Sequence, residues 1–192
     1  MNEKLINTIN KTVVLTSDDI QLYDQFFETV FISKNTTLEE QDKIPSYLYF
    51  ISSGFVRLFY KDENGDEITT NLSSSNAFIA SFMSLIHQKK AKESVECITE
   101  CEIVKIHRNN LLALIDKSEN FKQFSLIIFE HAITSTENRA NDLATLSAEQ
   151  RYKKLIENQP KILQNVPIQY IASFLGMKPE SLSRIRRQMS KG

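Results

Sequence analysis

The residues with the most pointed chemistry lie near the carboxy end, in Lys178-Pro-Glu-Ser-Leu-Ser-Arg-Ile-Arg-Arg187. Read as a helix opening at Pro179, this segment turns Leu182 and Ile185 to one side. It leaves Glu180, Ser181, Ser183, Arg184, Arg186 and Arg187 on the other. Those side chains suit the edge of a base pair. An arginine offers two parallel donors to guanine, a glutamate accepts from the cytosine amino group, and a serine hydroxyl reaches phosphate or base. Lys178 stands near the cap, a weaker capping residue than Ser or Asp. Arg187 and Lys191, at the far end, fall where phosphates would lie. The preceding stretch from Ile168 supplies what a second, crossing helix needs. Ala172 is small enough for close approach, and Gly176 can take a positive φ in the turn. Ile171, Leu175 and Met177 join Leu182 and Ile185 as the shared apolar side. Pro179 fits a first helical turn, where its missing N–H would be unpaired anyway. The pattern is that of a helix-turn-helix.

Charge is distributed accordingly. The 192-residue chain has net charge −1, yet residues 151–192 hold nine Lys and Arg against two Glu, a net +7. The first 150 residues hold 14 basic against 22 acidic side chains, a net −8. A polyanion would be drawn to one end and repelled by the other. Hydrophobic residues at 41% and charged residues at 24% are ordinary for a globular protein. No run reaches the ~18 apolar residues of a membrane span. The opening MNEKLINTIN lacks a secretory core, so a cytoplasmic location is expected.

Other chemistries find little support. There is no Gly-x-Ser-x-Gly, no phosphate loop and no Gly-x-Gly-x-x-Gly, so an enzyme is not expected and no catalytic residue is assigned. Glu39-Glu40 and Asp18-Asp19 fit loops and helix starts. His87, His107 and His131 are too scattered for a metal site, and no metal or other cofactor is expected. Cys97 and Cys101 are too few for an iron–sulfur cluster, which takes about four thiolates. At an even spacing in a strand they share a face, as core thiols or as a redox pair.

The elements that must position the basic end can be read upstream. Residues 1–33 suggest a short helix with caps at Thr16, Ser17 or Asp18. From 28 to 108 the chain is strand-rich: Tyr47–Ile51, Phe55–Tyr60, Glu67–Leu72, Ser94–Thr99 and Cys101–Ile106. Asn64-Gly65 predicts a type I′ hairpin. Many short strands without long helices between them imply an antiparallel sandwich or barrel. Asn109 or Asn110 caps a short helix through Ile115. From Asn120 to about Leu146 there is neither Pro nor Gly. Leu126, Phe129, Ile133, Ala140, Leu143 and Ala144 there form an apolar stripe, suited to its own domain or to a homodimer seam through residues 120–146.

Together these residues resemble the Crp/Fnr family of bacterial transcription regulators. The resemblance spans Tyr47-Leu-Tyr-Phe-Ile-Ser-Ser-Gly-Phe-Val-Arg-Leu-Phe59, the long helix, and Ile171-Ala-Ser-Phe-Leu-Gly-Met-Lys-Pro-Glu-Ser-Leu-Ser-Arg-Ile185. It implies an α+β fold: an amino-terminal antiparallel β-roll (a jelly roll, cyclic-nucleotide-binding-like), a long dimerisation helix and a carboxy-terminal winged helix-turn-helix. The divisions expected are 1–118, 119–147 and 148–192. So little follows the motif that any β-wing is expected to be short or to precede it. The family's recognition-helix Glu and Arg fall on Glu180 and Arg184; its other recognition Arg falls on Pro179. The resemblance also implies double-stranded DNA, a second copy of the chain and RNA polymerase as partners, with an unidentified small-molecule effector.

The effector site departs from the family. Cyclic-nucleotide binders use a Gly-Glu pair and an Arg-Ser or Arg-Thr pair, the Arg neutralising the cyclic phosphate and the Glu holding the ribose. Here the Gly-Glu positions are Ala80 and Ser81, and the Arg-Ser positions are Ala91 and Lys92; the base-contacting Thr would be Thr136. The cassette is degenerate, and cAMP binding is not expected. The pocket is expected to be filled by Phe78, Phe82, Met83 and Leu85, or to take something apolar. The alternatives are a cyclic-nucleotide-responsive activator with a non-standard cassette, or a β-roll ligand-binding module that does not bind DNA.

Overall fold

A computed structural model of the chain describes residues 1–189. The fold is α+β. Its first part is a roll of two four-stranded antiparallel sheets. One sheet is built from β1 (Phe27–Ile32), β8 (Cys101–His107), β3 (Tyr47–Ser53) and β6 (Ala77–Ile79), in that order. The other is built from β2 (Thr36–Glu39), β7 (Ser94–Cys97), β4 (Val56–Lys61) and β5 (Glu67–Ser73). Tyr49, Ile51, Val56, Leu58, Ile79, Val95, Cys97, Cys101 and Ile103 close between them.

Helices cover one side of the roll. Residues 1–26 hold two helices rather than one, α1 (Glu3–Ile9) and α2 (Ser17–Phe26), and the chain then enters β1 directly. Thr16 caps α2 in a reciprocal box with Asp19. Buried Asp19 also accepts from Ser118 Oγ and from Asn120 Nδ2 at 2.7 Å, which ties α2 to the start of the long helix. Burial raises the Asp19 pKa, but the hydrogen bonds from Ser118, Thr16 and Asn120 outweigh it and hold it at about 2.

The β4–β5 hairpin differs from the expected two-residue turn. Strand β4 ends at Lys61 and β5 begins at Glu67, so residues 62–66 form the loop. Gly65 has φ +85°, whereas Asn64 is not among the positive-φ residues. Asp62 explains the difference: its carbonyl accepts from Gly65 N, and its carboxylate accepts from Asn64 N and Asp66 N. The helix after β8 is α4 (Arg108–Lys117), capped by His107 Nδ1 rather than by Asn109 or Asn110. The short α3 (Phe82–His87) lies between β6 and β7.

Ser118 caps α5 (Glu119–Thr145), a helix of 27 residues. Its first half buries Phe121, Phe124, Ser125 and Ile128 against the roll. The apolar stripe read from sequence points elsewhere: Leu126 is 63% and Ile133 61% exposed, and Ala140, Leu143 and Ala144 are exposed. Ser147 then caps α6 (Ala148–Asn158) with Gln150 in a capping box, an element the periodicity did not indicate. The short α7 (Ile162–Asn165), α8 (Ile168–Phe174) and α9 (Pro179–Met189) follow. Among the described residues no strand follows β8, so the wing expected with this motif is not among them. Lys191 lies outside the described residues.

Candidate nucleic-acid interface and sensor cleft

The α8–α9 corner forms where the residue types predict it. Ala172 is fully buried, and Gly176 takes φ +64°. A Cβ at Gly176 would stand 2.9 Å from Leu143 Cδ2, so both conformation and space select glycine. Gly176 N bonds to Ser173 O and Met177 N to Ala172 O, closing the end of α8. Lys178 O accepts from Leu182 N, which places Lys178 at the start of α9. Ile171, Leu175, Leu182 and Ile185 are buried, and Met177 is half-buried beside them.

Burying Leu182 and Ile185 fixes what α9 shows to solvent. Lys178, Glu180, Arg184, Arg186 and Arg187 are exposed, and Ser181 and Ser183 are half-exposed. Glu180, Ser181, Arg184, Arg187 and Gln188 line one shallow concavity along the helix. The sequence-predicted nucleic-acid residues therefore share one helix and its start, and none of them is in the core.

The sequence did not reveal how this head is seated. Helix α8 lies against β5, the edge strand of the second sheet. Leu72 and Ile98 of the roll, with half-buried Phe55, pack into one cluster with Tyr152, Leu155, Ile162 and Val166. Backbone groups of β5 that no strand pairs are taken by side chains instead. Thr69 N donates to Ser173 Oγ at 2.9 Å. Arg139 Nη2 donates to Thr69 O at 3.3 Å and to Phe174 O at 3.2 Å, and Gln159 Nε2 donates to Leu72 O at 3.2 Å. Burial lowers the Arg139 pKa, opposed by Glu93 and Tyr60.

Arg57 is the centre of this seam. It lies on β4, is 1% exposed, and is held by Glu96 and Glu67, each 2.5 Å from Nη2. Its guanidinium sits between two rings, 3.9 Å from the centroid of Phe59 and 3.6 Å from that of Tyr170 on α8. A buried charge needs partners of this number and geometry. Burial raises the Tyr170 pKa, and the Arg57 charge pulls against that rise. Arg57, Arg139, Tyr170 and Ser173 carried no functional signal in sequence. The one available clue was a lone cation inside the apolar run Phe55-Val-Arg-Leu-Phe59.

The cassette positions line a cleft rather than a filled core. A cavity of about 1510 Å³ runs between α3, β5, β6 and α5. Ala80, Ser81, Lys92 and Thr136 line it. Ala91 does not: it is buried, with its N–H on Lys43 O and its carbonyl on Asp42 N. Phe78, Phe82 and Met83 line the walls without closing the space, and Leu85 is turned into the core. Arginine is absent from this lining. The nearby Arg108 spends its fork on the carbonyls of Leu85 and Ile86, at 3.0 and 3.2 Å. Glu93 accepts from Thr70 Oγ1.

The two cysteines are free and buried. Hydrogen bonding to Cys101, with burial, pushes the Cys97 thiol up, and the same bond draws Cys101 down to about 7. Among the described residues no cluster of His, Cys, Asp or Glu can hold a metal, and no helix is long and apolar enough to cross a membrane.

This architecture is a β-roll followed by a long helix and a helix-turn-helix, the fold seen in solved structures of Crp/Fnr regulators. Residues 29–118 match the cyclic nucleotide-binding domain. The c-di-GMP responsive global regulator CLP of Xanthomonas campestris is 18% identical, with 92% of each chain covered and a TM-score of 0.70. FixK2 from Bradyrhizobium japonicum is 14% identical, covering 86% of this chain and 85% of that one, with a TM-score of 0.74. The Thermus thermophilus catabolite activator protein is 19% identical over 96% of this chain and 87% of its own, at 0.56. A voltage-gated inwardly rectifying potassium channel of Oryctolagus cuniculus is 25% identical over 121 residues, 63% of this chain. This chain spans about a tenth of that channel's length.

Proposed function

We propose that the chain is a sequence-specific DNA-binding transcription regulator of the Crp/Fnr type. The observation that carries this reading is the orientation of α9: Leu182 and Ile185 go into the core while Arg184 and Arg186 stand in solvent. Glu180, Ser181, Ser183 and Arg184 read base edges. Lys178, Arg186 and Arg187 add phosphate contacts and the salt-dependent part of binding.

Two copies pair along residues 120–146 through the stripe that includes Leu126 and Ile133, which the single chain leaves in water. Such a pair presents two recognition helices ~34 Å apart to successive major grooves of a near-palindromic site. Residues 1–118 form the sensor, 119–147 the dimerisation helix and hinge, and 148–192 the head. RNA polymerase is the partner through which binding would alter transcription. No arginine lines the cleft to neutralise a cyclic phosphate, and Glu93 already accepts from Thr70 Oγ1, so cAMP is not the ligand of this sensor.

Selection of genomic DNA fragments by the purified, ligand-free protein tests the reading. Recovery of a shared, two-fold symmetric site supports it, and retention indifferent to sequence overturns it. Saturable heat on titration with cAMP would instead favour a cyclic-nucleotide-responsive activator.

A further inference from the structure

We propose that the cleft binds an amphipathic anion, an acyl chain ending in a carboxylate, rather than a nucleotide. This inference rests on the reading of the roll as a sensor and names the ligand class that the sensor takes. Four features of the cleft carry it.

The first is size. At about 1510 Å³ the space exceeds the roughly 300–1,000 Å³ of an ordinary small-ligand pocket. The second is the wall. Phe78, Ile79, Phe82, Phe124 and Ile128 line one continuous apolar surface, and Met83 adds to it while 66% exposed. An alkyl chain covering this surface gains free energy in proportion to the apolar area it removes from water.

The third feature is what the polar groups can no longer do. Arg108 spends its fork on carbonyls and is not available for a cyclic phosphate, and one oxygen of Glu93 is taken by Thr70. The fourth is the rim. Lys89, Lys90 and Lys92 line the mouth, all exposed, and none forms an ion pair among the described residues. A lysine is a point charge on a flexible stem. Three at the mouth suit a single anionic head whose depth varies with the length of its tail. The stripe on the outer side of α5, including Leu126, remains for a second copy of the chain. Phe124 and Ile128 face the roll, whereas Phe129 and Ile133 of the stripe also line the cleft, so chain pairing and ligand meet along that part of the helix.

The test is calorimetric titration of the full chain with dodecanoate below its micellar concentration, with dodecanol and cAMP as comparison ligands. Saturable binding of about one dodecanoate per chain is expected, with dodecanol at least tenfold weaker. Lys89→Ala, Lys90→Ala and Lys92→Ala combined should weaken dodecanoate about tenfold and leave dodecanol unchanged. Met83→Asp, at an exposed position, should weaken both. The proposal is overturned by the absence of saturable dodecanoate binding, by binding that neither variant alters, or by displacement of dodecanoate by cAMP. DNA retention measured on the same preparations separates the two readings. Loss of dodecanoate binding with intact DNA selection rejects the ligand class alone, whereas loss of DNA selection rejects the regulator.

Discussion

Arg57 and Arg184 are the same side chain put to opposite uses. Arg57 is buried against two carboxylates and two rings, one of them on α8, and so joins the head to the roll. Its Nη1 is buried without a hydrogen-bond partner among the described residues. Arg184 projects from α9 into water beside Glu180 and Ser181. The contrast teaches that a basic residue's function follows from what its neighbours leave unspent. A guanidinium whose charge is neutralised internally can only hold structure, whereas one left in solvent can meet phosphate or guanine.

The largest effect expected is at Arg57. Its replacement by alanine leaves Glu96, 12% exposed, without its countercharge, and removes the stack on Tyr170. The cost is about 3–5 kcal/mol, the usual range for removing one member of a buried ion pair. Urea denaturation measures it, and a loss below 1 kcal/mol would erase the distinction between the two arginines.

Asp19 sharpens the same contrast with a buried charge held by hydroxyl, amide and backbone donors instead of an ion pair. Its folded pKa of about 2 lies below the ordinary aspartate value of 3.8. The stabilisation is therefore complete above pH 4 and is lost as pH falls through 2. The difference amounts to about 2 kcal/mol. Asp19→Asn should flatten the pH dependence of stability between pH 2 and 4, as followed by circular dichroism.

At Arg184 the prediction reverses. Arg184→Ala should leave the denaturation midpoint unmoved and weaken binding to the selected site by roughly 1–3 kcal/mol, with relaxed selectivity at one base pair. A fluorescence-anisotropy titration on matched and mismatched duplexes reads both. Smallest of all is the exposed pair of Lys154 with Asp142, 2.7 Å apart. Lys154→Ala should change stability by less than about 1 kcal/mol, because solvent screens the pair.

The helix-turn-helix was legible because its rules are local. Ala172, Gly176, Pro179, Leu182 and Ile185 fall within one short stretch, and each answers a steric or periodic demand that a reader can check alone. The long helix was legible for the same reason, through its lack of Pro and Gly. Less local features escaped. Helix α3 is too short to show a period, and α1 was merged with its successor. Ser147 caps α6, and a single serine after a long helix does not by itself announce a new element. The turn at Asn64-Gly65 departs from type I′ because Asp62, two residues before Asn64, accepts from the amides of both Asn64 and Asp66.

Residue order alone set the succession of strand-rich, helical and basic segments, the residues that form the corner, and the residue types at positions 80, 81, 91 and 92. These depend on residue type and on spacings of a few positions. Only the tertiary structure decided that β5 carries the head, that Arg57 lies beneath Tyr170, that the apolar stripe of α5 faces outward, and that the cleft is open rather than filled. Thr69 and Ser173 are 104 residues apart, and no periodicity brings them together. Their contact follows from packing two apolar surfaces around one enclosed charge, a balance settled only when the whole chain has closed.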